Sequence, residues 1–222
     1  FWFKLKKNLK KCNNFYNDKN IEVINFGVSE YGTTQQYLTL KHKVWKYNPD
    51  IIILAFFSGN DIADNLKELS TKKYRPYFLF KNGLDFEIDK SYLDSKPYKT
   101  LSSFYGQIFI KFSQYSRNSQ LFREAYVQSY FKKKRDKKNI KKKQTIVNDS
   151  NLYNPKNFLW SNAWITTEKI IELINKDVLK NGKKFILVSL TNPIQVNPEQ
   201  DKLLEFKKRN NISNIFYPEM RL

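Results

Sequence analysis

The chain alternates between unbroken apolar runs and stretches where apolar residues recur every third or fourth position. "IEVINFG" (21–27) is a β-branched run stopped by Gly27, and "DIIILAFF" (50–57) is apolar almost throughout. Both predict buried strands, the second covered on both faces. Between them, "TTQQYLTLKHKVWKYN" sets Tyr37, Leu40, Val44 and Tyr47 at helical spacing with lysines opposite. Thr33 or Thr34 is placed to cap this helix, and Pro49 to end it. Residues 21–57 thus predict a strand–helix–strand unit, the building block of a parallel sheet. Late in the chain "TTEKIIELINKDVLKNG" predicts a helix closed by Gly182, and "KFILVSL" (184–190) a further buried strand. Another helix is predicted from about Trp2 to Lys11.

The middle is patterned differently. "YFLFKNGLDFEID" (77–89) is two short runs flanking Asn82-Gly83, a strong hairpin signal. Leu101, Phe104, Ile108, Phe112 and Tyr115 then follow helical spacing, with helix expected onward to about Phe131. The expected organisation is an α/β domain in two portions, 1–69 and 161–222, interrupted by a hairpin-plus-helix insertion over 70–160.

Composition narrows the classes. A chain of 222 residues, 41% hydrophobic and 16% aromatic, can bury a core, which excludes global disorder. The single cysteine, Cys12, excludes an internal disulfide and a cysteine-based zinc site. No run reaches the roughly 18 apolar residues that a membrane span needs. The formal net charge is +19, carried mostly by lysine rather than by the arginine that reads phosphates and base edges. The densest patch, "KKKRDKKNIKKK" at 132–143, reads as a solvated linker.

In open α/β sheets, chemistry gathers beyond the carboxyl ends of the strands. After 57 the chain continues "SGND" (58–61). Gly59 permits a sharp turn and leaves space beside Asn60, whose side chain offers two N–H donors. Such a donor aimed at a developing oxyanion contributes about 2.7–4 kcal/mol to the transition state. The same four residues also fit an ordinary loop turn.

"VINFGVSEYGTTQQYL" followed by "PDIIILAFFSGNDIADN" resembles the second and third sequence blocks of the SGNH, or GDSL-like, hydrolases. "RPYF", "LVSLTNPIQVNP" and the terminal "FYPEMRL" are similar to one bacterial branch of that superfamily. The resemblance implies a flavodoxin-like three-layer α/β/α fold and a serine esterase, acting on a small-molecule or glycan ester, without a cofactor or metal. In that family a serine attacks the ester and a histidine held by an aspartate moves the proton. The oxyanion is held by the serine N–H, a second-block N–H and the third-block asparagine. By position the asparagine is Asn60, and the second-block donor falls on Glu30, where the family commonly has glycine. The backbone N–H of Glu30 survives that change, and its carboxylate is expected to point to solvent. Gly27 and Gly32 flank Glu30 and, with Gly59, are expected to border the substrate.

The family's Gly-Asp-Ser and Asp-x-x-His blocks are absent from these residues, so the chain reads as incomplete at both ends. A membrane anchor or export signal would lie outside it, and the isolated chain is expected to be poorly soluble or molten. The only histidine, His42, projects opposite Tyr37, Leu40 and Val44 and reads as a surface residue. Ser29 and Ser58 have no base beside them, Cys12 has no partner, and no ligand set converges on a metal. Asp61 with Asp64, and Glu199 with Asp201, read as helix-start carboxylates. Two other classes stay open: a binder of anionic partners, nucleic acid or membrane surface, and an esterase-like scaffold without catalysis. No motif specific for nucleic acid is visible.

Overall fold

The structure is a computed structural model that describes residues 4, 5, 7, 8, 21–28, 31–70, 72, 74–115, 121, 125 and 150–222. Lys4, Leu5, Lys7 and Asn8 are helical, within the predicted first helix. The predicted elements that fall mainly at 116–149, and the basic run 132–143, lie outside the described residues, although Leu121 and Ala125 are helical.

Helix α1 (Thr33–His42) starts one residue earlier than its threonines suggest: Gly32 is the N-cap, and its N–H is accepted by the Gln35 side chain at 3.1 Å. Thr33 and Thr34 are instead buried in the first turn. A 3-10 turn, Val44–Tyr47, follows, and Asn48 in the left-handed region (φ 43°) redirects the chain ahead of Pro49. His42 is exposed.

Strand β1 (Ile51–Phe57) pairs in parallel with β4 (Lys184–Leu190), from Ile51 opposite Lys184 to Phe57 opposite Leu190. The hairpin is present as β2 (Tyr77–Phe80) and β3 (Phe86–Asp89), joined by a turn in which Gly83 takes φ 56°. Mixed α/β architecture is therefore correct.

The strand predicted at 21–27 is not formed: residues 21–28 have no regular structure, and Ile24 and Val28 are exposed. A strand exists only through the ladder that pairs its N–H and C=O groups. Among the described residues none pairs with this segment, so β-branched composition alone does not make it one. The parallel partner of β1 is β4, far along the chain. Coverage differs as well. Leu54, Phe56, Phe185 and Leu187 face the helical layer, whereas Ile186 and Leu190 on the other side remain exposed. The described sheet is packed fully on one face only.

The layer on that face is built around α6 (Phe158–Lys180). Asn157 caps it by accepting the Leu159 N–H at 2.8 Å, and Gly182 (φ 69°) closes it, with Lys183 N–H returning to the Val178 carbonyl. Its buried stripe is Trp160, Ala163, Trp164, Thr167, Ile170, Ile174 and Val178, at steps of three and four. The first half joins Phe56, Ile62, Leu152, Tyr153, Phe206, Ile212 and Ile215 in one cluster. The second half joins Tyr37, Leu40, Leu54 and Phe78 in another. Each large apolar side chain so buried contributes roughly 1.5–3 kcal/mol.

The remaining helices are α2 (Asp61–Asp64), α3 (Lys96–Ser102), α4 (Phe104–Tyr115), α5 (Ser150–Tyr153), α7 (Gln200–Asn210) and α8 (Tyr217–Arg221), with a 3-10 turn at Ser91–Asp94. The break between α3 and α4 at Ser103 is absent from the predicted continuous helix.

A polar knot ties the layers together. The Asn65 side chain accepts the Thr34 N–H at 3.1 Å and donates to the hydroxyls of Thr33 (3.1 Å) and Thr167 (2.9 Å). Thr167 passes its own hydroxyl to the Ala163 carbonyl at 2.7 Å. Each member is buried and satisfied, so the knot fixes α1, the end of α2 and α6 in one register.

Candidate active site

The carboxyl end of β1 carries the polar tetrapeptide. Ser58 and Gly59 are buried and Asn60 is half-buried; the Asn60 N–H closes a turn onto the Phe57 carbonyl at 3.3 Å. Asn60 then serves as N-cap residue of α2. Gly59 has no room for a side chain: a Cβ there would lie 2.5 Å from the Phe57 ring and 2.7 Å from Asn192 Oδ1. Glycine at this position is a packing requirement as well as a turn preference.

The Asn60 amide is held by two carboxylates. Its Nδ2 donates to Asp61 Oδ1 at 3.1 Å and to Asp64 Oδ2 at 3.2 Å. Asp61 Oδ2 accepts the Phe57 N–H at 2.8 Å, and Asp64 Oδ1 accepts the Ser70 hydroxyl at 3.0 Å. Both carboxylates are buried. Burial pushes the Asp61 carboxyl up to about 7; the Phe57 N–H opposes this and the neighbouring Asp64 charge adds to it. Near neutral pH the pair therefore carries less negative charge than two free aspartates would. The carboxylates start a helix, as their sequence position suggests, and also orient the amide. With both N–H groups committed, Asn60 would exchange one carboxylate to donate to a substrate oxygen.

The segment before α1 reaches this place at Gly32, where a Cβ would lie 3.1 Å from Asp64 Cβ and 3.3 Å from Asn65 Oδ1. Gly32 and the Asn60–Asp64 turn are thus brought together. Gly27 is exposed, its N–H bonded to its own neighbour Asn25 at 2.8 Å, and is not part of that contact. Glu30 and Ser29 lie outside the described residues, as does Cys12.

One residue that sequence reasoning passed over belongs here. Asn192, at the carboxyl end of β4, is fully buried and donates from Nδ2 to the Ser58 hydroxyl at 2.9 Å. Among the described residues its Oδ1 has no hydrogen-bond partner. The Asn192 N–H is accepted by Gln195 Oε1 at 2.6 Å, and Gln195 Nε2 donates to the Ile215 carbonyl and to Glu219, both at 2.8 Å. The strand-end rule that singled out "SGND" applies equally to "TNPIQ" after β4, although the contact with Ser58 depends on β4 lying beside β1.

Among the described residues no group of three or more His, Cys, Asp or Glu could hold a metal ion, and no helix is long and apolar enough to cross a membrane. No family model, curated protein or solved structure matches the chain.

Proposed function

We propose that this chain contributes the oxyanion-binding part of an SGNH-type serine ester hydrolase, on a flavodoxin-like three-layer scaffold. The reading assigns the nucleophilic serine and its Asp–His pair to segments outside residues 1–222, since His42 is an exposed residue at the last turn of α1. Asn60 and the Glu30 N–H would bind the oxyanion of an ester, with Gly59 and Gly32 giving the close approach that a planar acyl group needs.

One observation carries the reading: the two sequence blocks that resemble the family meet in space, Gly32 against Asp64 within a turn of Asn60. A turn with no further purpose would not need an asparagine aligned by two buried carboxylates behind a glycine with no space for a Cβ. Exchange of one carboxylate for the oxyanion is made easier by Asp61, which protonates at about 7 and holds its proton more readily as negative charge develops nearby.

The test is hydrolysis of p-nitrophenyl acetate by the full-length natural protein. Asn60→Ala should lower kcat by about 10²–10³ with little change in KM, because the lost donor acts on the transition state. Unchanged turnover would remove Asn60 from the site. A parent protein that does not turn over would instead favour the non-catalytic scaffold.

A further inference from the structure

The corner between α3 and α4 is tightly built yet presents apolar residues to solvent. Ser95 caps α3 by accepting the Tyr98 N–H at 3.3 Å, and Ser103 accepts the Gly106 N–H at 3.1 Å to start α4. Gln107 Nε2 crosses back to the Leu101 carbonyl at 2.8 Å. A Cβ on Gly106 would collide with the Thr100 carbonyl oxygen and lie 2.8 Å from that of Leu101, so only glycine lets the helices turn so closely. The residues this corner displays are Leu101 (46% exposed), Phe104 (74%), Tyr105 (82%) and Ile108 (48%). Phe104 with Ile108, and Tyr105 with Ile108, stand at the four- and three-residue spacings that share a helix face.

Along the chain, the charge of this corner is mainly cationic. From Lys96 to Arg123 the sequence carries five cations and no carboxylate. Lys96, Lys99 and Lys111 are exposed, Lys99 pairing at 3.1 Å with the exposed Asp94 just before the segment. Aromatic and aliphatic side chains beside lysines match the boundary between acyl chains and anionic headgroups.

We propose that the α3–α4 corner docks this protein on anionic lipid bilayers, inserting Phe104, Tyr105 and Ile108 while the lysines meet the headgroup phosphates. Single-stranded nucleic acid fits less well. Leu101 and Ile108 offer no π-face for base stacking, and the cations within α3 and α4, Lys96, Lys99 and Lys111, are lysines. The proposal is independent of the ester chemistry and stands or fails separately from it.

The experiment is flotation of the full-length protein with phosphatidylcholine vesicles, with and without phosphatidylglycerol. Binding should be at least about tenfold stronger with phosphatidylglycerol and weaken with added salt. The double variant Phe104→Ser/Ile108→Ser should lose about tenfold of that binding, since affinity scales with the apolar area inserted. In a Tyr105→Trp variant, brominated acyl chains should quench fluorescence beyond the level in the parent. Absence of binding to phosphatidylglycerol vesicles would overturn the proposal, as would undiminished binding of the double variant. Displacement from vesicles by a random oligonucleotide that binds the parent but not the double variant would also overturn it, assigning the face to nucleic acid.

Discussion

Helices α6 and α4 carry the same kind of sequence and meet opposite fates. Both space apolar residues at three and four. In α6 the stripe lies against β1, β4, α1 and α2, and Trp164, Ile170 and Val178 are fully buried. In α4, Phe104 and Ile108 stand at the same spacing and are exposed. Periodicity identifies the stripe, whereas what covers it depends on the topology around it. The difference also separates the two helices: α6 holds the layers together, and α4 is fastened at its first turn with Phe104 and Ile108 left exposed.

The sharpest way to break this comparison is to empty the centre of α6. Trp164 is fully buried, with the Arg221 guanidinium 4.8 Å from its ring centre and Tyr217 edge-on at 5.6 Å. Trp164→Ala should cost about 3–5 kcal/mol, seen as an earlier midpoint in urea unfolding. Because its indole N–H has no partner among the described residues, Trp164→Phe should cost clearly less than the alanine change.

A pH series sharpens the comparison next, since the α6 side has a buried carboxyl in Asp61, the first residue of α2. Its pKa is raised from 3.8 to about 7, so the folded state holds the proton more tightly than the unfolded chain does. The associated stability is fully present below pH 3.8 and is lost as the pH rises through about 7. At about 1.36 kcal/mol for each pH unit of that interval, the loss is on the order of 4 kcal/mol at most. Asp61→Asn should flatten the fall between about pH 4 and pH 7, read as the difference between parent and variant unfolding curves.

The smallest effect belongs to α4. Phe104→Ser should change unfolding stability by no more than about 0.5 kcal/mol, as expected for an exposed side chain. A larger loss would mean that α4 is packed in solution and that the contrast with α6 is false.

What the sequence made legible follows from the same distinction. The runs at 51–57 and 184–190, the helix closed by Gly182 and the hairpin around Gly83 are each specified by their own residues. The supposed strand at 21–27 required a neighbour, which a local run cannot reveal, and the neighbour of β1 lies more than a hundred residues away. At the candidate site, the strand-end rule and the glycine picked out Asn60. The two aspartates read as helix-start residues, and sequence did not indicate that they would grip its amide. Asn192 is reachable only once β4 is known to lie beside β1, because its contact with Ser58 spans the sheet. The break at Ser103 was hidden by side chains whose spacing suits one continuous helix.

The Asn65 knot has a consequence for how the molecule breathes. Amides in the first turn of a helix ordinarily lack intrahelical partners and trade their hydrogens with water freely. That of Thr34 is sealed in, accepted by Asn65, whose other arm reaches Thr167 on α6. Fraying the beginning of α1 therefore requires breaking this buried contact, so the Thr34 amide should exchange more slowly than an ordinary first-turn amide.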